Sequence, residues 1–247
     1  MNQLPGKVSK KILIIGSSSF LAGKLIKNLS EKNLVICVDK IMQIKKKNKN
    51  VKYYKCDITN PRKLEAIKKD IKNKFHVLDI IINCFVHQNY LPFEKQKHKD
   101  FSKSINTNVT GVFLITKIFY KLLKKSNNPQ IINLGSIYGI VSGDPSIYPN
   151  KNVTSDVYAA SKAAIIQLTK YYAVHLSKYK IRVNCLSPGG IFNNQHKDLV
   201  KNYNKKVPMK RMAAVEEIVS CIEFLLDDRC KYLNGHNLIV DGGFTAW

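Results

Sequence analysis

Short apolar, β-branched runs alternate with longer segments of helical period along this chain, and that alternation leaves few folds open. Candidate strands stand at Lys11–Ile15, Leu34–Val38, Lys52–Lys55, Val77–Asn83, Gln130–Leu134, Ile181–Leu186 and Leu238–Val240. Most are apolar at every position rather than at every second one, as strands covered on both faces of a parallel sheet must be. Helical patterns at 20–31, 61–73, 99–126, 156–178 and 215–227 supply the crossovers. Pro61, after Asp57-Ile58-Thr59-Asn60, marks a helix start, because a first-turn residue needs no acceptor for its N–H. The expectation is an α/β fold: a doubly wound parallel sheet of about seven strands with helices on both faces, in a single domain over 1–247. The irregular stretch 139–155 is long for a strand-to-helix connection, and loops of that length usually carry function.

Hydrophobic residues make up 45% of the 247 residues, enough for a core that needs no metal or disulfide staple. The formal charge is +24, from 41 Lys+Arg against 17 Asp+Glu, yet only Arg62, Arg182, Arg211 and Arg229 are arginines. Nucleic-acid recognition favours the bidentate fork of Arg. The lysine excess, accompanied by many Asn and Ile, reads as compositional background, and no nucleic-acid partner is expected. The run Lys45-Lys46-Lys47-Asn48-Lys49-Asn50 reads as a solvated connection. Six scattered cysteines without a C-x-x-C pair point to free thiols in a reducing compartment, and no metal site. Ile12–Ile15 is too short for a signal segment and no window reaches membrane-spanning length. A soluble, cytoplasmic protein without a membrane partner is expected.

The first strand runs into Ile15-Gly16-Ser17-Ser18-Ser19-Phe20-Leu21-Ala22-Gly23 and a helix. A dinucleotide's pyrophosphate is held at such a junction by backbone N–H groups and the positive helix end; a Ser-rich strand-to-helix turn is the plain alternative. Asp39 closes the second strand 23 positions after Gly16, where a carboxylate binds the ribose diol of NAD and repels a 2′-phosphate. NAD(H) is therefore favoured, and the adjacent Lys40 leaves NADP(H) open. Asp57 reads either as an adenine contact or as a helix-start turn residue.

Tyr-x-x-x-Lys places both side chains on one helix face, but in so lysine-rich a chain about two such pairs arise by chance. Two occur. Tyr120/Lys124 lies at an amphipathic helix end, where lysines suit the dipole. Tyr158/Lys162 lies among small residues in Tyr158-Ala159-Ala160-Ser161-Lys162-Ala163-Ala164, with Ile132-Asn133-Leu134-Gly135-Ser136 upstream and Arg182-Val183-Asn184-Cys185-Leu186-Ser187-Pro188-Gly189-Gly190-Ile191 downstream. From Gly16 to Val240-Asp241-Gly242-Gly243, the order of these motifs resembles the short, single-domain branch of the short-chain dehydrogenase/reductase family.

The resemblance implies a Rossmann-type fold and an NAD(P)(H)-dependent interconversion of a hydroxyl and a carbonyl. It implies a catalytic set of Asn108, Ser136, Tyr158 and Lys162: Tyr158 exchanges the proton, Ser136 bonds the same oxygen, Lys162 lowers the phenol and holds the nicotinamide ribose, and Asn108 positions a water. It places Gly16, Ser18, Ser19, Phe20, Leu21, Asp39, Asp57, Ile58, Asn83, Pro188, Gly189, Ile191 and Asn193 at the cofactor, together with Tyr158 and Lys162. The chain departs from the family where Phe20 and Ala22 replace loop glycines, where Asn-Asn-Ala-Gly reads Asn83-Cys84-Phe85-Val86, and where Asn193 replaces the usual Thr.

Ser136 and Tyr158 are 22 positions apart, longer than usual in the family, and the added segment is rich in hydroxyls, amides and short acids. With Phe192-Asn193-Asn194-Gln195-His196-Lys197 it makes a wall suited to a polyhydroxylated substrate, the two substrate loops being 139–156 and 190–210; a lid or an oligomer contact is the other reading of the added segment. The stretch resembles oxidoreductases of bacterial surface-sugar and flagellin-modification pathways, which implies a sugar or nucleotide-sugar intermediate as the small-molecule substrate. A 3-oxoacyl-carrier-protein reductase and a non-catalytic Rossmann-fold binding protein are the alternatives. The tail from Asp241 to Trp247 implies, by the same resemblance, a homotetramer or homodimer contact.

Overall fold

The computed structural model describes residues 10–41, 48–149 and 154–247. Lys45–Lys47 of the expected solvated connection, and residues 150–153 of the added segment, lie outside them. Seven parallel strands, β1 (Lys11–Ile15), β2 (Leu34–Asp39), β3 (Val51–Lys55), β4 (Ile80–Asn83), β5 (Gln130–Leu134), β6 (Arg182–Pro188) and β7 (Asn237–Val240), form one sheet in the order β3-β2-β1-β4-β5-β6-β7. Connections run outward in both directions from β1 and β4, which creates the switch point where α/β sheets bind ligands at the carboxyl ends of their strands.

The five inner strands bury both faces, as their largely apolar sequences require, whereas the edge strands β3 and β7 stay partly exposed. Leu13 and Ile15 of β1 pack with α2 (Pro61–Phe75), α4 (Gly111–Leu123) and α5 (Asp156–His175); Ile12 and Ile14 pack with α1 (Phe20–Leu29) and α7 (Val215–Leu226). Pro61 opens α2 as expected, with Asn60 accepting the Lys63 N–H at 3.0 Å. Asn48 and Asn50, at the near end of the lysine-rich connection, bond Ser30 at the end of α1.

Two expected boundaries were too coarse. The helix expected over 99–126 is two helices, α3 (His98–Ile105) and α4, joined by one π turn at Asn106–Thr110. The widened turn frees backbone groups from the regular ladder and carries Asn108 into the interior. The segment 190–210, expected as loop, contains α6 (Lys197–Lys206), whose Val200, Tyr203 and the following Val207 keep helical spacing. No helix among the described residues is long and apolar enough to cross a membrane.

Candidate active site

The carboxyl end of β1 turns at Gly16 with φ +79°, and a Cβ there would lie 2.5 Å from the backbone N of Phe85. Only glycine lets the turn lie against the chain leaving β4. Ser19 caps α1, its Oγ accepting the Ala22 N–H at 3.3 Å, while Gly23 N–H bonds the Ser19 carbonyl. The amides of Phe20 and Leu21 stay at a helix N-terminus with no acid in its first turn, a donor set for a pyrophosphate. Phe20 itself projects outward beside a cleft of about 1120 Å³ that Ser17–Ser19, Phe192 and Met212 also line.

Asp39 ends β2 and fastens the same loop: Oδ2 accepts from Ser18 N–H at 2.9 Å and Oδ1 from Ile41 N–H at 3.0 Å. Each carboxylate oxygen keeps a lone pair for a ribose hydroxyl. Asp57 serves the turn before α2, where Oδ1 accepts from the N–H and hydroxyl of Thr59; these bonds, helped by Lys40 at 3.5 Å, hold its carboxyl below the usual range. Ile58 is buried in the core. Asn83 turns into the sheet and donates to Asn133 Oδ1 at 2.8 Å, so its amide braces β4 against β5. Asn193 is exposed, with its N–H given to Gln195 Oε1.

The expected catalytic side chains converge at the ends of β5, the π turn and α5. Ser136 follows β5 and accepts the Tyr138 N–H at 3.1 Å. Asn108 clamps the chain after β4: Oδ1 accepts from His87 N–H at 2.7 Å, and Nδ2 donates to His87 O at 2.9 Å and to Ser161 Oγ at 3.0 Å. Lys162 is 3% exposed, donates to the Leu134 carbonyl at 2.6 Å, and sits 5.6 Å from the Tyr158 ring centroid. Burial holds this lysine down to about 8, against smaller opposing effects from Cys185 and Cys84. Tyr158 is pushed up to about 12, first by burial and then by Tyr90 and Tyr148, with a Ser136 hydrogen bond pulling the other way. The expected lowering of Tyr158 by Lys162 is not found: burial dominates at both groups, raising the phenol and lowering the ammonium. Tyr120/Lys124 is structural: Lys124 lies over the Tyr179 ring at 4.2 Å, which Tyr120 also meets.

Over this centre lies the added segment. Tyr148 OH donates to Tyr138 OH at 2.9 Å and bonds Thr154 Oγ1 at 2.6 Å, while Asp144 pairs with Lys206 of α6 at 2.9 Å. Lys206 holds the Asp144 carboxyl down to about 2. The two loops expected to contact substrate are therefore one packed wall; Tyr148 and Tyr203 lie within their expected bounds, Tyr138 lies just outside them, and the buried position that α6 gives Tyr203 was not anticipated. Val200, Tyr203 and Val207 at helical spacing were the available signal.

A sequence profile described as enoyl-(acyl carrier protein) reductase matches residues 32–245. A crystal structure of a short chain dehydrogenase from Leptospira borgpetersenii with bound NAD+ is 35% identical, superposes with a TM-score of 0.90, and pairs 99% of this chain with 98% of that one. The chain belongs to the short-chain dehydrogenase/reductase family. It is 33% identical to the ribulose-forming D-arabinitol 2-dehydrogenase of Candida tropicalis over 80% of this chain and 71% of that enzyme. It is also 28% identical to post-translational flagellin modification protein A of Campylobacter coli, over 96% and 99%. This short-chain dehydrogenase is thus an NAD(P)-dependent oxidoreductase that interconverts a hydroxyl and a carbonyl, not the non-catalytic binding protein that the lost loop glycines had left open.

Proposed function

We propose that this enzyme acts on a sugar, polyol or nucleotide-sugar intermediate of surface-glycan or flagellin glycosylation, in the cytoplasm and with NAD(H). The observation that carries the reading is the packed wall that the hydroxyls of Tyr138, Tyr148 and Thr154 and the Asp144–Lys206 pair form over Tyr158, set beside the likeness to an arabinitol dehydrogenase and a flagellin-modification protein. In this reading the Gly16 turn and the Phe20 and Leu21 amides hold the pyrophosphate. Asp39 takes the adenosine ribose, Asp57 and Ile58 stand beside the adenine, and Pro188, Gly189, Ile191 and Asn193 border the nicotinamide. The bound nicotinamide supplies or accepts the hydride. Tyr158 Oη takes the hydroxyl proton when the alcohol becomes a carbonyl and returns it in reduction. Ser136 Oγ bonds the same oxygen and holds it against Tyr158, Lys162 holds the nicotinamide ribose, and Asn108 keeps the chain at His87 in place beside a water that receives the proton.

Turnover of pentitols, ketopentoses and nucleotide sugars against 3-oxoacyl thioesters tests the substrate class, and the expected kcat/KM ratio is about a hundredfold in favour of the polyhydroxylated compounds. The reverse order would support a 3-oxoacyl-carrier-protein reductase, a reading that shares only the acyl-carrier substrate with the name of the matching profile. For the cofactor, Asp39→Ser is expected to lower the NAD(H)-over-NADP(H) preference by about tenfold or more, because it removes the carboxylate that repels a 2′-phosphate. An unchanged preference would overturn the role given to Asp39. We also propose a homotetramer or homodimer, on the exposed apolar side chains Phe113 of α4, Tyr171 and Val174 of α5, and Trp247.

A further inference from the structure

Among the side chains that hold the segment Pro188–Ile191 is one that no motif marks. Tyr203 lies in α6, is 4% exposed, and accepts the Gly190 N–H on its hydroxyl at 2.6 Å. A Cβ on Gly189 would lie 2.6 Å from that hydroxyl, and one on Gly190 2.8 Å from the ring. The consecutive glycines let backbone rest directly on the phenol. The ring also stacks on Phe244, with centroids 5.5 Å apart and planes 18° from parallel. Tyr203 also belongs to a small apolar cluster with Ile137, next to Ser136, and with Ile147 of the added segment. One residue therefore touches the chain after β6, the substrate wall and the C-terminal segment.

We propose that Tyr203 is a positioning residue that sets the backbone of Gly189-Gly190 against the nicotinamide and ties that backbone to the substrate wall. The proposal rests on the reading that Pro188–Ile191 borders the nicotinamide. A phenylalanine would keep the ring, its stacking and its packing, but would leave the Gly190 N–H without its acceptor, a loss that the backbone relieves by moving.

Calorimetric titration of the full-length enzyme with NADH and with ADP-ribose, which lacks the nicotinamide, separates this role from a general structural one. Tyr203→Phe is expected to weaken NADH about tenfold and to leave ADP-ribose within about twofold. Phe244→Leu, which loosens the same packing but spares the hydroxyl, is expected to lower the melting temperature and preserve the NADH-to-ADP-ribose ratio. A Tyr203→Phe enzyme that keeps the wild-type ratio, or that loses both ligands equally, would overturn the proposal while the cofactor reading stands. A wild-type enzyme that binds NADH no more tightly than ADP-ribose would overturn the nicotinamide reading of the segment, and this proposal with it.

Discussion

Tyr158→Phe is expected to cut turnover about 1,000-fold and to leave NADH affinity within about threefold. The variant keeps the ring between Ser136 and Lys162 and loses only the oxygen. Ser136 can still hydrogen-bond the substrate, but an aliphatic hydroxyl does not accept a proton at neutral pH, so the proton has nowhere to go. The pH dependence carries the same logic. With the phenol raised to about 12, the neutral form needed for reduction dominates at pH 7, whereas oxidation needs phenolate, whose fraction grows as pH climbs toward that value. The wild-type kcat/KM for oxidation should therefore rise from pH 7 to 9, and the residual activity of Tyr158→Phe should not follow it. Turnover of the variant above about a tenth of wild type would remove Tyr158 from the proton transfer.

That prediction depends on residues that were legible in the sequence, and the contrast with those that were not is physical. The five inner strands could be read because a doubly covered parallel strand is apolar on both faces, as Ile12–Ile15 and Ile80–Ile82 are. Tyr158, Lys162 and Ser136 could be read because their order and spacing are fixed by one helix and one strand end. Asn108 was legible as a residue but not as a geometry: Asn106–Thr110 has no feature that distinguishes a π turn from an ordinary helical one before its tertiary partners His87 and Ser161 are known. Tyr203 was hidden for a different reason. Its role comes from a hydrogen bond to Gly190 thirteen residues away and a stack on Phe244, contacts that no local pattern encodes. The raising of Tyr158 and the lowering of Lys162 were likewise out of reach, because each follows from its own burial, whereas composition says only that lysine is plentiful.

Lys162→Met is expected to produce the opposite pairing of effects: activity falls more than about a hundredfold, while the cofactor-free protein becomes more stable. Lys162 is 3% exposed and its hydrogen bond goes to the neutral Leu134 carbonyl, so desolvation holds its pKa down to about 8 from the ordinary value of 10.5. Below about pH 8 both folded and unfolded chains carry the proton, and the folded state bears the whole cost of the buried charge, about 3 kcal/mol. Between about 8 and 10.5 the unfolded chain holds more protons than the folded one, so wild-type stability rises with pH across that window and the cost disappears above it. Methionine fills a similar volume without charge, although it leaves the Leu134 carbonyl short of a donor at about 1 kcal/mol. The net gain at pH 7 is then about 2 kcal/mol, or about 5 °C in melting temperature for a chain of this size, and it should shrink as the pH is raised toward 10. Such a gain with lost turnover would identify Lys162 as a charge that the fold tolerates for the sake of the chemistry beside Tyr158. A variant no more stable than wild type at pH 7, with a pH dependence of stability unchanged between 8 and 10, would show instead that the bond to Leu134 outweighs desolvation and that Lys162 is held in place at no cost.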